Sequence, residues 1–225
     1  MTKTKSKYYK RFGLIIGSHM WKYYLRWVYK KCIDDFSKLD FKPNFTSENF
    51  KCLLCGVGNE VTADEFISFV LKRNSKAKII IIDIGNEQIK AVKKLIKDKY
   101  PTKKIKVIKA NALKLLNLLD EKSIDWIETD GFFEYFDKLS LKQLLQVWKK
   151  LLKINGFITT RVCVSNSKFD KLVDRLRVKI GKDWLGVKLY PHSKKEVHSL
   201  IKKMGYRFIT KSTLLPTFKR YSLVK

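Results

Sequence analysis

Several residues in this chain have types and spacings that could do chemistry. Cys52 and Cys55 form a C-x-x-C, the spacing of half a zinc site or a redox pair, and Gly56 and Gly58 follow at once in "CLLCGVGNE". Further on, single polar residues end apolar runs: Asp83 after "KIIII", Asn111 after "KIKVIKA" and Asp130 after "SIDWIET". The cysteine pair is the weakest of these signals. The other two cysteines, Cys32 and Cys163, make no second C-x-x-C, and no His stands at ligand spacing, so no metal site is expected. Cys52 and Cys55 also lie in a run of strand length, where side chains three apart point to opposite faces. They are expected to be buried small apolar residues, not a chelating or redox pair.

The glycines and polar residues gain meaning from the elements around them. Apolar residues at Trp21, Leu25, Val28, Cys32 and Phe36 predict a helix from Ser18 to about Leu39, followed by a connector marked by Pro43 and Asn44. The pattern then alternates. Strand "KCLLCGV" leads to a helix from Thr62, with Thr62 and Glu65 as its capping box, and residues 56–61 are expected as loop. Strand "KIIIIDI" leads to a helix from Asn86 to about Lys99, and strand "KIKVIKA" to a short segment at 113–119. Strand "SIDWIET" leads to a helix from about Ser140 to Lys153, stopped by Asn155 and Gly156 ahead of strand "GFITTRVCV". No element is assigned between 166 and 192. Beyond that, Ser193 and Glu196 cap a helix ending at Gly205, and two strands meet across Pro216. Strict alternation with near-continuous apolar strands predicts an α/β fold, a doubly wound, mostly parallel seven-stranded sheet covered on both faces, with an N-terminal helical extension.

In such a sheet ligands bind beyond the carboxyl ends of the strands. The candidate site is therefore the set of residues that follow strands: Cys55, Gly56, Val57, Gly58 and Glu60; Asp83 and Ile84; Asn111 and Ala112; Thr129 and Asp130. Glycine lets the chain turn and a ligand approach bare backbone, and a carboxylate at Asp83 can accept two hydrogen bonds from a vicinal diol.

In this order the residues resemble the class I S-adenosylmethionine-dependent methyltransferases, over roughly residues 50–165. "CGVG" is similar to that family's glycine-rich motif, "IIIIDIGNEQIKAVKK" to its second motif with Asp83 at the ribose position, and "KANAL" to the adenine-side segment. "SIDWIETDGFFEYF" and "LLQVWKKLLKINGFITTR" resemble the fourth strand with its loop and the helix and strand that follow. The resemblance implies a Rossmann-like domain at 50–225 under an N-terminal cap or lid at 1–49, S-adenosylmethionine as cofactor, and methyl transfer to an acceptor. Three residues depart from the family pattern: Leu54 stands where an acid is usual, Glu60 where a third glycine is usual, and Asn111 where the third motif usually has an acid. Glu60 or Asp130 is then expected to supply the carboxylate for the cofactor's ammonium group, with Asp130 the leading candidate beside the transfer point and Glu128 and Glu134 after it.

The acceptor is expected to be a small molecule, with RNA as the alternative. The chain has 49 Lys and Arg against 21 Asp and Glu, a formal net charge of +28, which attracts polyanions. The cations are spread along the chain and densest at 3–11, 148–153 and 194–203. No N/D-P-P-Y/F sequence follows the fourth strand and no Pro-Cys loop is present, which weighs against methylation of an RNA base. A catalytically silent Rossmann-like binding module and a dinucleotide-binding oxidoreductase are the other readings, the latter disfavoured by Glu60. His192, beside Pro191, could reach a substrate, and His198 is expected to be structural. No apolar run is long enough to span a membrane and no signal-type segment opens the chain, so a cytoplasmic protein with no membrane partner is expected.

Overall fold

A computed structural model describes residues 8–11, 13 and 16–225. The first residues of the basic stretch, 3–7, lie outside the described residues. Helix α1 (His19–Asp34) is capped by Ser18, whose Oγ accepts from the Trp21 N–H at 3.2 Å, and continues as a 3-10 turn over Asp35–Leu39. Seven strands follow: β1 (Lys51–Cys55), β2 (Lys78–Asp83), β3 (Ile105–Lys109), β4 (Ile124–Asp130), β5 (Leu152–Cys163), β6 (Arg207–Ser212) and β7 (Phe218–Val224). Their order in the single sheet is β3-β2-β1-β4-β5-β7-β6, with β7 antiparallel to both its neighbours and the other pairings from β3 to β5 parallel. The expected doubly wound, mostly parallel sheet is the fold.

Alternation along the strands builds two cores. Leu53 and Cys55 of β1, Ile80 and Ile82 of β2 and Ile127 of β4 face one side, under helices α4 (Lys138–Leu151) and α6 (Lys194–Lys203). Cys52, Leu54, Ile79, Ile81 and Trp126 face the other, under α1, α2 (Glu60–Leu71) and α3 (Asn86–Lys99). The two cysteines of the C-x-x-C are thus on opposite faces, each buried. α1 contributes Leu25, Val28, Tyr29 and Cys32 to the second core, and burying a side chain of this kind stabilises by about 1.5–3 kcal/mol. Trp126 stacks on Phe157 at 5.7 Å and meets Phe66 at 5.0 Å, while Phe45 of the connector meets Trp126 at 5.8 Å. The connector is therefore anchored in the core by its aromatic residues.

Three boundaries differ from the sequence expectation. α2 begins at Glu60, because Asn59 caps it with one side-chain oxygen accepting from both the Val61 and Thr62 N–H groups at 3.1 Å. Glu65 is drawn instead to Arg26 of α1, in a two-pronged ion pair at 2.6 and 2.8 Å. α4 starts two residues early, at Lys138, capped by Asp137. It also stops at Leu151, and the Asn155-Gly156 pair forms an irregularity inside β5, with Asn155 at φ 62 and the pairing to β4 shifting between Ile124 and Trp126. The stretch after 166 holds helix α5 (Lys168–Ile180), opened by a Ser167–Asp170 capping box. Its apolar residues Phe169, Leu172, Leu176 and Ile180 recur at helical spacing, so the stripe was legible in the sequence, but it faces outward and the inward side is polar. The capped helix at Ser193 and Glu196 and the strands on either side of Pro216 are as expected.

Candidate active site

The loops after β1, β2, β3 and β4 enclose a cavity of about 410 Å3 at the carboxyl ends of the strands. Each loop is held by a local device. After β1 the chain turns through Gly56 at φ +77, whose N–H donates to the Ile82 carbonyl at 2.9 Å. A Cβ there would lie 2.6 Å from a ring carbon of Phe132, so a bare backbone lets that ring close over the turn. After β2, Asp83 ties two loops together: one oxygen accepts from the Val57 N–H at 2.8 Å and the other from the Gly85 N–H at 2.6 Å. After β3, Asn111 caps the 3-10 turn Ala112–Asn117 by accepting from the Leu113 N–H at 2.9 Å. After β4, Asp130 accepts from Arg161 Nε at 3.1 Å, and the chain turns through Gly131 at φ +56.

Of the residues picked from sequence, Gly56, Val57, Gly58, Asp83, Ile84, Asn111, Ala112 and Asp130 come together on this cavity, and Cys55, Glu60 and Thr129 do not. The Cys55 side chain is in the core, and its carbonyl accepts from the Thr129 hydroxyl at 2.7 Å, which turns that hydroxyl inward as well. Glu60 accepts from the Tyr9 hydroxyl at 2.6 Å on the flank of α2, so of the two carboxylates considered for an ammonium group Asp130 is the one at the cavity. Glu128 and Glu134 are also off it. Glu128 is fully buried with Arg161 and the Thr159 hydroxyl as partners, and burial pushes its carboxyl up to about 7 against the pull of Arg161. Glu134 accepts from the Cys163 N–H at 2.9 Å, and burial raises it too. His192 is buried with Nε2 3.1 and 3.0 Å from the Phe133 and Phe136 carbonyls, so it pins the aromatic loop and is not on the cavity wall. His198 lies mid-helix, edge-on to Phe208 and Tyr221.

Sequence reasoning missed Gln88. It sits in the first turn of α3, lines the cavity and is 5% exposed, yet its Oε1 has no hydrogen-bond partner. The signal was available in principle, since the first helical turn after a strand-end carboxylate faces the same space as that carboxylate. Gly85 makes room for it: a Cβ there would stand 2.0 Å from Gln88 Oε1. The remaining wall is aromatic, with Phe132, Tyr135 and Phe136 from the loop after β4, Trp21 from α1, and Tyr8, whose hydroxyl accepts from that of Tyr135 at 3.1 Å. Ile16 lies against Gly58, where a Cβ would approach it to 2.5 Å. No lysine or arginine lines the cavity among the described residues.

This arrangement suits a ligand that presents hydroxyl and ammonium donors together with a flat apolar group. Asp83, Gln88 and Asp130 are acceptors, and Ile82, Ile84, Ala112 and Leu113 offer apolar surface. The Val61 and Thr62 N–H groups that open α2 are taken by Asn59 and are not free for a phosphate. Fold and site together define a doubly wound α/β protein with a cavity at the strand ends. Residues 54–205 match the sequence model of the methyltransferase domain family, more than half of the chain, and the chain belongs to that family, among the class I S-adenosylmethionine-dependent methyltransferases. No curated protein matches the chain. Among solved structures it is similar to an O-methyltransferase family protein from Burkholderia thailandensis, at 14% identity and a TM-score of 0.62, covering 78% of this chain and 51% of that one. The chain thus spans about half the length of that protein. It is also similar to a SAM-dependent methyltransferase from Methanosarcina mazei, at 14% identity and a TM-score of 0.57, covering 80% of this chain and 93% of that one. A geranyl diphosphate C-methyltransferase from Streptomyces coelicolor, solved with Mg2+, geranyl diphosphate and S-adenosylhomocysteine, matches at 11% identity and a TM-score of 0.59, covering 87% of this chain and 83% of that one. At these identities the likeness is one of fold.

Proposed function

We propose that this chain binds S-adenosylmethionine in the strand-end cavity and transfers its methyl group to a small-molecule acceptor. The observation that carries the proposal is the cavity wall of Asp83 and Gln88 side by side, with Gln88 Oε1 buried and unpartnered. A buried acceptor without a donor is costly, and a ribose diol supplies donors. Asp83 and Gln88 would hold the diol, Ile84, Ala112 and Asn111 the base, the backbone of Gly56 to Gly58 the amino-acid portion, and Asp130 its ammonium group. The cofactor, when bound, supplies an electrophilic methyl on a sulfonium, so the chain's task is mainly to position two reactants and exclude water. Asp130, with Arg161 and the ammonium group as partners, is placed to orient an acceptor by hydrogen bonding. Phe132, Tyr135, Phe136 and Trp21 narrow the space beside it. An aromatic wall with no lysine or arginine among the described residues supports a small acceptor over RNA, whose backbone needs a basic groove. Tyr8, Ile16 and Trp21 on the cavity support a lid role for the N-terminal region.

Isothermal calorimetry with S-adenosylhomocysteine tests the proposal. Micromolar binding that Asp83→Asn weakens is the expected result. Absence of binding by a chain with an intact circular-dichroism spectrum and melting transition refutes it in favour of a silent module.

A further inference from the structure

Helix α5 is amphipathic in the reverse sense to a helix that covers a core. Its inward side is charged: buried Asp174 accepts from Arg177 at 3.0 and 3.1 Å and from the Cys163 thiol at 3.3 Å, and Arg177 lies 3.8 Å from Glu134. Its apolar residues point outward. Phe169 is 68% exposed, Leu172 and Leu176 55% each, and Ile180 53%. Spaced three, four and four apart, they make one ridge roughly 16 Å long at 1.5 Å per residue. Trp184, 41% exposed, follows in the next turn. The other exposed residues of the helix are Lys168, Lys171, Arg175 and Lys179, all cations, and none is acidic. At 100° per residue these fall together on one side of the ridge, so the exposed half of α5 is an apolar strip beside a basic strip.

The charge selects what covers this surface. A second copy brought to the same face would set these cations against their own kind, on chains that each carry +28. An anionic bilayer surface satisfies both strips: the apolar side chains enter the boundary between headgroups and acyl chains, while lysine and arginine reach up along their own stems to the phosphates. Beyond the helix, exposed Lys182 and Asp183 precede Trp184, whose ring centre lies 5.8 Å from the Arg11 guanidinium. We propose that α5 is a peripheral docking helix that lies in the interface of an anionic membrane. Val187, three residues beyond Trp184, lines the cavity, so docking brings a cavity wall close to the lipid surface. The surface is a property of α5 alone and does not depend on the proposed activity.

Flotation with vesicles of phosphatidylcholine, with and without phosphatidylserine, tests this on the full chain. Binding to the phosphatidylserine vesicles is expected, falling as salt is raised. The double substitution Leu172→Glu and Leu176→Glu should lower vesicle affinity roughly tenfold or more, since two apolar side chains leave the interface. Both leucines are more than half exposed, so the melting temperature should hold. Lys171→Gln with Lys179→Gln should weaken binding to the anionic vesicles too. Failure to bind anionic vesicles overturns the proposal. So does equal binding by the glutamate variant, which would mean that the basic surface at large is responsible. A dimer in sedimentation that the glutamate variant dissolves would also overturn it, with a second copy as the occupant.

Discussion

The turn at Gly56 allows a quantitative test of how the cavity is built. Gly56→Ala adds a Cβ to a backbone at φ +77, and a left-handed conformation costs a residue with a Cβ about 1–2 kcal/mol. The same Cβ would lie 2.6 and 2.7 Å from two ring carbons of Phe132. That ring cannot simply swing away, because it packs edge-on to Phe136 at 5.0 Å and stacks on Trp148 at 6.4 Å. Displacing it adds about 1–3 kcal/mol of overpacking, so the single substitution should destabilise the fold by about 2–5 kcal/mol. Phe132→Ala removes the obstacle and leaves the backbone strain. In that background Gly56→Ala should cost only about 1–2 kcal/mol, and the double-mutant cycle should show a coupling of about 1–3 kcal/mol. Urea unfolding followed by tryptophan fluorescence measures all four corners. Equal costs in the two backgrounds, within about 0.5 kcal/mol, would refute the contact, and a cost near zero in both would refute the left-handed turn as well.

Two further outcomes are expected. Gln88→Leu removes a buried acceptor, so it should leave stability unchanged or raise it, while S-adenosylhomocysteine affinity falls roughly tenfold. Gln88→Glu keeps an acceptor and should bind more tightly than the leucine variant, and equal affinity of wild type and Gln88→Leu would remove Gln88 from the site. The second concerns Glu128, raised from 4.5 to about 7 by burial. An acid raised on folding stabilises most below its unfolded value and loses that contribution as pH rises through its folded value. Wild type minus Glu128→Gln should therefore lose on the order of 3 kcal/mol of unfolding free energy between pH 4.5 and a little above 7. A flat or rising difference would show that Arg161 holds the carboxylate ionised throughout.

Much of the site was legible because a parallel sheet converts chain order into position. Gly56, Asp83, Asn111 and Asp130 are far apart in sequence, yet each stands at or just past the carboxyl end of a strand, and parallel strands set those ends side by side. What failed were statements about which way a side chain turns. Thr129 and Cys55 sit at strand ends but bond to each other, Glu60 is taken up by Tyr9, and Glu128 turns beneath the sheet to Arg161. Gln88 was overlooked because what marks it is a buried oxygen without a partner, which depends on every neighbour. α5 was overlooked although its apolar residues recur at helical spacing, and the way that stripe faces was decided by the contacts of its inner side with Glu134 and Cys163.

Periodicity and turn chemistry in the chain were enough to define the two-faced sheet, the opposite facing of Cys52 and Cys55, and the set of strand ends that line the cavity. These follow from bonds between near neighbours and from side-chain alternation, both of which are local. The closure of the cavity by Phe132, Trp21 and Tyr8, the placing of Asp130 and not Glu60 on its wall, and the outward apolar face of α5 were decided only in the tertiary structure. Each depends on which groups compete for the same hydrogen bond or the same volume once distant segments meet.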